Sequence, residues 1–82
     1  SGNDILVYQV ESGVKKEDVE LLVKQILRSV SSKTMMLPEV KQKIEKKLPR
    51  FNVRDYQYTK FAQFLRDMDG LTVYNNMVRL EK

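Results

Sequence analysis

Residues 71–80 are Leu-Thr-Val-Tyr-Asn-Asn-Met-Val-Arg-Leu, two short runs of alternating side chains separated by two asparagines. A period of two is typical of a strand with one buried face, and an asparagine pair tolerates the positive φ angles of a two-residue turn. The stretch therefore predicts a β-hairpin. In its register, Val73 pairs with Val78 on the buried face. Leu71 pairs with Leu80 on that same face.

Two helices are predicted before this hairpin because apolar residues recur at steps of three and four. The first helix covers residues 15–31, and its apolar stripe consists of Val19, Leu22, Val23, Ile26, Leu27 and Val30. Residues 33–36 follow as a short extended piece. The second helix begins near Pro38, whose missing N–H needs no partner in a first turn, and ends before Pro49.

A third helix is predicted from Val53 to Met68, with Asn52 as a cap that accepts the backbone N–H of Asp55. The buried stripe of this helix consists of Tyr58, Phe61, Phe64, Leu65 and Met68, and its outward stripe of Tyr56, Lys60, Gln63 and Asp67. The order helix, strand, helix, helix, hairpin predicts an α+β fold, the winged helix-turn-helix. In that architecture the third helix is the usual recognition element and the hairpin is the wing.

The length of 82 residues allows one domain, because a chain this short has material for a single core. We assign residues 15–82 to the winged-helix domain. Residues 1–14 are an N-terminal segment or linker to which the sequence assigns no role. Whether that segment pairs two copies of the chain is left open, and so is the oligomeric state.

The chain has no cysteine and no histidine. These absences remove disulfides, thiolate metal sites, the commonest metal ligand and the usual general base near neutral pH. We therefore expect a protein that is not an enzyme and that needs no cofactor or metal. No apolar run approaches the roughly 20 residues of a membrane span, so we expect a cytoplasmic protein with no membrane partner.

The positive charge of the chain is concentrated in one region. Residues 1–36 carry five cations and five carboxylates, which leaves no net charge, whereas residues 41–60 carry seven cations and two carboxylates, a net charge of +5. A cluster of this kind suits a polyanionic partner such as a nucleic acid. The alternative is a solvated lysine-rich helix face without any ligand.

The run at residues 51–65, Phe-Asn-Val-Arg-Asp-Tyr-Gln-Tyr-Thr-Lys-Phe-Ala-Gln-Phe-Leu, resembles a pattern of the LOTUS (OST-HTH) domain family. That pattern is an aromatic residue, a short turn and then Tyr-Gly-aromatic-x-Lys-Leu-x-x-Leu-Leu. Residues 37–40 and 48–51 resemble the family's helix start and its Phe-Pro-x-Phe turn, so the resemblance covers roughly residues 17–82. The main departure is Gln57, at a position where the family usually has glycine, which replaces a close backbone approach with a polar side chain.

The resemblance implies two classes of partner. Minimal domains of the family bind G-rich and G-quadruplex RNA, whereas extended ones with an additional C-terminal helix bind the DEAD-box helicase Vasa. Bacterial members are joined to a NYN or PIN-like nuclease domain. Because the chain ends two residues after Leu80, it resembles the minimal class. The implied partners are G-rich or G-quadruplex RNA and a nuclease domain in the same full-length protein.

The candidate RNA-binding residues lie between the end of the second predicted helix and the first turns of the third. Cations there suit phosphates, an aromatic ring suits stacking on an unpaired base, and an amide suits hydrogen bonding. These candidates are Lys46, Lys47, Arg50, Arg54, Tyr56, Gln57 and Lys60.

Other interpretations of the same residues remain open from sequence alone. In the simplest of them, Tyr56 packs against the second helix and Lys60 is a solvated surface charge. In the others, the basic helix enters the major groove of DNA, or helices two and three dock a DEAD-box helicase or a nuclease domain. Salt separates these alternatives, because nucleic-acid binding weakens steeply as ionic strength rises and an apolar protein contact does not.

Overall fold

The computed structural model of the protein describes residues 14–81. Of the segment of residues 1–14, to which the sequence assigned no role, residues 1–13 lie outside the described residues and Val14 lies within them. In chain order the elements are α1 (Lys16–Arg28), β1 (Thr34–Met36), α2 (Leu37–Lys47), a 3-10 turn (Val53–Tyr56), α3 (Phe61–Arg66), β2 (Leu71–Tyr74) and β3 (Met77–Leu80). This is the α+β winged helix that the sequence predicted.

The first two helices lie where the sequence predicted them, except that α1 ends at Arg28, three residues before its predicted end at residue 31. In α1 the acidic residues of the first turn suit the positive end of the helix dipole, and the Ser29 hydroxyl donates 2.6 Å to the Ile26 carbonyl at the other end. In α2, Pro38 occupies the first turn and the helix ends at Lys47. Each helix buries one apolar face, and the buried residues are Val19, Val23 and Leu27 in α1 and Leu37, Val40 and Ile44 in α2.

The three strands form one antiparallel sheet in the order β1-β3-β2. The predicted register is confirmed, with Val73 opposite Val78 and Leu71 opposite Leu80. Asn75 and Asn76 adopt φ angles of 47° and 61°, as a two-residue hairpin turn requires. The second pairing, between β1 and β3, ties the hairpin to the helices.

The core lies between the helices and the inner face of the sheet. Phe64 is its largest fully buried side chain, and Leu27, Ile44, Leu65 and Val78 are also completely buried. None of the buried residues in the described part of the chain is polar or charged. The domain therefore depends on apolar packing rather than on internal ion pairs.

The predicted third helix from Val53 to Met68 is wrong as a continuous element. The chain forms a short 3-10 turn, leaves helical geometry at Gln57, becomes extended at Lys60, and only then starts the six-residue α3. As a result, Tyr56 and Lys60 do not share an outward helical face with Gln63 and Asp67.

The break is produced by hydrogen bonds that end the 3-10 turn. The N–H of Tyr58 donates a hydrogen bond to the Val53 carbonyl, and the N–H of Gln57 donates one to the Arg54 carbonyl, both at 3.1 Å. This is the pattern of a Schellman motif, in which one residue must adopt the left-handed conformation. Gln57 is that residue, with φ 70° and ψ 31°.

This geometry gives a physical reason for the glycine that the family usually has at the position of Gln57. Glycine adopts a positive φ without a steric penalty, whereas a residue with a Cβ atom does not. From the sequence, that glycine was expected to allow a close approach of bare backbone at the helix start. In the structure, this position instead requires the left-handed conformation of the turn.

The cap at Asn52 also differs from the prediction. Its side-chain oxygen accepts the backbone N–H of Arg54 at 3.0 Å, not that of Asp55. The Asp55 N–H donates instead to the backbone carbonyl of Asn52, also at 3.0 Å. The tighter spacing follows from the 3-10 geometry, in which hydrogen bonds join residues three apart.

Leu65→Ala should destabilise the domain by about 2–5 kcal/mol, because it leaves a cavity beside Phe64 in a fully packed core. The matched control is Leu21→Ala, since Leu21 is 61% exposed and should change the free energy of unfolding by less than about 0.5 kcal/mol. Urea denaturation measures the free energy of unfolding of each variant relative to the wild type. Equal effects would contradict the core assignment.

Gln57→Gly should stabilise the domain by up to about 1 kcal/mol, since relief of the left-handed conformation exceeds the entropy cost of glycine. Gln63→Gly is the same change at an exposed position inside α3, where it should destabilise by about 1 kcal/mol. Thermal unfolding of the pair tests the turn. A loss of stability in both variants would show that Gln57 is not strained.

Candidate nucleic-acid interface

A cluster of aromatic rings forms the base of the basic region. The Phe64 ring lies 5.2 Å from that of Tyr56, 5.6 Å from that of Phe51 and 5.5 Å from that of Tyr58, between ring centroids. Phe61 completes the cluster at 6.4 Å. These distances are typical of aromatic pairs, which contribute beyond their buried area. The cluster fixes the 3-10 turn and the preceding loop against α3.

Tyr56 is the predicted stacking residue, and the structure places it at the edge of this cluster rather than on a free helix face. Its ring is half-buried, and its hydroxyl donates 2.5 Å to the Val14 carbonyl. Burial raises the pKa of Tyr56 above its usual value, and the nearby carboxylates of Asp55 and Asp18 raise it further. Tyr56 is therefore positioned by packing and hydrogen bonding, with part of its ring still accessible.

A second hydrogen-bonded chain fixes the segment after Gln57. The Lys16 ammonium donates 3.1 Å to the Tyr58 hydroxyl, which itself donates 2.6 Å to a carboxylate oxygen of Asp67. The hydrogen bond to Tyr58 raises the pKa of Lys16, and the negative charge of Asp67 acts in the same direction. This chain links the start of α1 to the end of α3 across the irregular segment.

Three of the predicted site residues line a single cavity of about 300 Å³. Lys47 comes from the end of α2, Arg50 from the following turn and Tyr56 from the 3-10 turn. Phe51 and Asp55 line the same cavity. Two cations, two aromatic rings and one carboxylate therefore meet in one concave site.

Two further grooves flank this cavity. Arg54 lines a groove of about 410 Å³ together with Lys41 and Phe51, and Phe51 also lines the cavity. Lys46 and Lys47 line a groove of about 340 Å³ between α1 and α2, whose apolar wall includes Leu22 and Ile26. Each groove therefore shares a lining residue with the cavity, Phe51 in one case and Lys47 in the other.

Gln57 and Lys60 are exposed but lie outside these three depressions. Gln57 follows the 3-10 turn, and Lys60 precedes α3, where its carbonyl accepts the Phe64 N–H at 3.2 Å. The structure does not bring their side chains together with the other five candidates. Their contact with RNA stays a prediction.

Four cations of the candidate site are available to a ligand. Within residues 14–81, Lys46, Lys47, Arg54 and Lys60 make no ion pair, whereas Lys24 pairs with Glu20 at 3.0 Å. Charges that are exposed and unpaired keep their full attraction for an anion.

Two cavity residues with aromatic or charged side chains, Phe51 and Asp55, were not among the predicted site residues. Phe51 appeared only as part of the family pattern, and Asp55 only through its backbone N–H, as the expected partner of the Asn52 cap. The proline at position 49 was a usable signal, because it ends α2 and turns the chain back toward the 3-10 turn. Asp55 had no such signal, since its place depends on the turn itself.

Two kinds of feature are missing from the described residues. No group of three or more metal-ligating side chains lies together in residues 14–81. No helix in that part of the chain is both long and apolar enough to cross a membrane.

The comparisons with known proteins gave one result. A family model described as OST-HTH/LOTUS domain matches residues 12–76, which is most of the chain. Neither the curated proteins nor the solved structures gave a significant match.

The raised pKa of Tyr56 has a measurable consequence at alkaline pH. Because the folded state favours the neutral phenol, the stability that Tyr56 contributes is fully present below pH 10.0 and is lost as pH rises through the raised pKa. The difference in unfolding free energy between the wild type and Tyr56→Phe should therefore narrow above pH 10.0. Tyr74→Phe, on the exposed wing face, is the control for loss of a phenolic hydroxyl outside the core. A difference for Tyr56→Phe that is independent of pH would contradict the burial of the phenol.

Proposed function

The chain belongs to the OST-HTH/LOTUS domain family, and from that premise we propose that it is an RNA-binding module for G-rich or G-quadruplex RNA. Domains of this family bind nucleic acid or proteins and are not catalytic domains. The observation that carries the proposal is the convergence of Lys47, Arg50 and Tyr56 on one cavity.

The chemistry of the cavity suits an unpaired nucleotide. A base can stack on the aromatic side chains of the cavity, and a cation that lines it can bind the phosphate of the same nucleotide. RNA-binding proteins take sequence information mainly from single-stranded bases that are splayed out and stacked on aromatic side chains. A concave site of about 300 Å³ is at the lower end of the range for small-molecule pockets, which fits one base rather than a duplex.

Duplex DNA receives less support from the same geometry. A recognition helix in the major groove presents several turns of side chains to the bases. Here α3 has six residues and is therefore only about 9 Å long. All seven residues predicted to contact nucleic acid lie before α3, in the last turn of α2 or in the segment between the two helices.

The proposed contacts divide into two kinds. Lys46, Lys47, Arg50, Arg54 and Lys60 supply charge for phosphates, which dominates affinity and carries the salt dependence. Tyr56 supplies an aromatic surface, and Gln57 an amide for hydrogen bonding. The Tyr56 ring is held by its hydrogen bond and by packing on Phe64, so little conformational entropy of that side chain is lost when RNA binds.

The groove between α1 and α2 favours a second candidate function, protein docking. Its walls include Leu22 and Ile26, and Leu21 beside them is 61% exposed. Apolar surface of this kind is typical of protein contacts. A DEAD-box helicase or a nuclease domain of the same full-length protein would be the partner, and the cytoplasm the location.

Charge reversal at two cations tests the RNA proposal. Lys47→Glu combined with Arg54→Glu should weaken binding of a G-quadruplex RNA by at least about tenfold at low salt, because phosphate contacts become repulsions. Fluorescence anisotropy at two salt concentrations, with a scrambled RNA and a duplex DNA as competitors, provides the measurement.

The control is Lys33→Glu combined with Lys15→Glu, which changes the net charge equally at two exposed lysines outside the three depressions. It should weaken binding by less than about threefold. Equal losses in both double variants would mean that net charge alone governs binding. Salt-insensitive binding of a protein partner, with no RNA binding, would favour the docking function.

A further inference from the structure

We propose that the cavity between α2 and the 3-10 turn takes a single unpaired guanine base, recognised through its Watson–Crick edge by the Asp55 carboxylate. The inference rests on the RNA-binding function proposed above and goes further, since it assigns a base and an acidic residue that lies within a basic surface.

The position of Asp55 supports this role. Its side chain is exposed and lines the cavity together with Tyr56 and Lys47. Its backbone N–H is bonded to the Asn52 carbonyl, which fixes the residue in the turn. Within residues 14–81 the carboxylate makes no hydrogen bond or ion pair, so both oxygens are available to a ligand.

Asp55 lines the cavity together with two aromatic residues, Phe51 and Tyr56. Phe51 and Tyr56 have ring centroids 6.3 Å apart and are tilted by 34° relative to each other. Tyr56 cannot turn freely, since its hydroxyl is bonded to Val14 and its ring packs on Phe64. A base that enters the cavity therefore meets a fixed aromatic wall with a carboxylate at the side.

Elementary hydrogen-bonding chemistry then selects guanine. An ionised carboxylate only accepts hydrogen bonds, and its two oxygens suit two parallel donors. Guanine presents two adjacent donors on its Watson–Crick edge, the ring N1–H and the amino group at position 2. Adenine and cytosine place an acceptor nitrogen beside their amino group, and uracil flanks its single N–H with two carbonyls. Those acceptors would face the carboxylate unfavourably.

The same edge is occupied when guanine is paired. In a quartet the N1–H and the amino group are both bonded to the neighbouring guanine. The cavity is therefore expected to take guanine from a single strand or a loop. Lys47, which lines the cavity, can donate a hydrogen bond to the adjoining phosphate.

The test uses a fluorescent oligouridine with one central guanine and the same oligonucleotide with inosine, which lacks the amino group at position 2. A single guanine excludes quartets within the strand. The wild type should bind the guanine probe about tenfold more tightly than the inosine probe, since loss of a hydrogen bond to a charged group has this size. Asp55→Asn should reduce the ratio to about one, because the amide places a donor against the base. Asp69→Asn, an exposed aspartate in the turn before β2, is the matched control and should keep the tenfold ratio.

The ratio of the two affinities separates this inference from the proposed function. Removing a carboxylate strengthens binding of every RNA by electrostatics, but this effect cancels when the two probes are compared. Salt-sensitive binding with equal affinity for both probes would overturn the guanine site and leave RNA binding intact. A preference that persists in Asp55→Asn would place guanine recognition elsewhere. No binding of either probe would overturn the RNA-binding function itself, and the guanine site with it.

Discussion

Burial of the Phe64 ring is the contact on which the rest of the domain depends. Phe64 is fully buried, and four other aromatic rings lie within about 6.5 Å of it. These rings come from the loop after α2, the 3-10 turn, the irregular segment and α3 itself. A segment with little regular backbone hydrogen bonding is thereby held in one conformation. The candidate site is built on that segment, so its shape follows from packing in the core.

The hairpin and the first two helices could be predicted from the sequence because their signals are local. A period of two around an asparagine pair determines strand register as well as strand identity, and prolines mark both ends of α2. The third helix could not be bounded in this way. Apolar residues at steps of three and four fit one long helix, and they fit equally well a 3-10 turn followed by a short helix that packs the same rings. The left-handed Gln57 and the extended Lys60 distinguish the two, and neither residue type carries a local signal for its conformation here.

The candidate site, like the fold, could be predicted from the sequence only in part. Its charge was visible in the sequence, since seven cations lie in residues 41–60. Its shape was not, because the cavity forms where the 3-10 turn places Asp55 and Tyr56 beside Lys47 at the end of α2. A continuous helix would have placed Tyr56 and Lys60 on one outward face, available to any polyanion. The observed turn instead makes a concave site with a defined chemical interior.

An exposed carboxylate within a region of net charge +5 has a cost, because it reduces attraction for every phosphate that approaches. Asp55 contributes nothing to offset this through the fold, since its side chain makes no hydrogen bond or ion pair in the described part of the chain. It even disfavours ionisation of the neighbouring Tyr56. A charge that lowers general affinity without supporting the structure is consistent with selectivity, since specificity is a difference between affinities and arises from groups that penalise the wrong ligand. The surrounding lysines attract RNA of any sequence, and a group of another chemistry adds discrimination between bases. Among the side chains of the described residues that line the cavity, only that of Asp55 accepts hydrogen bonds and cannot donate them when ionised.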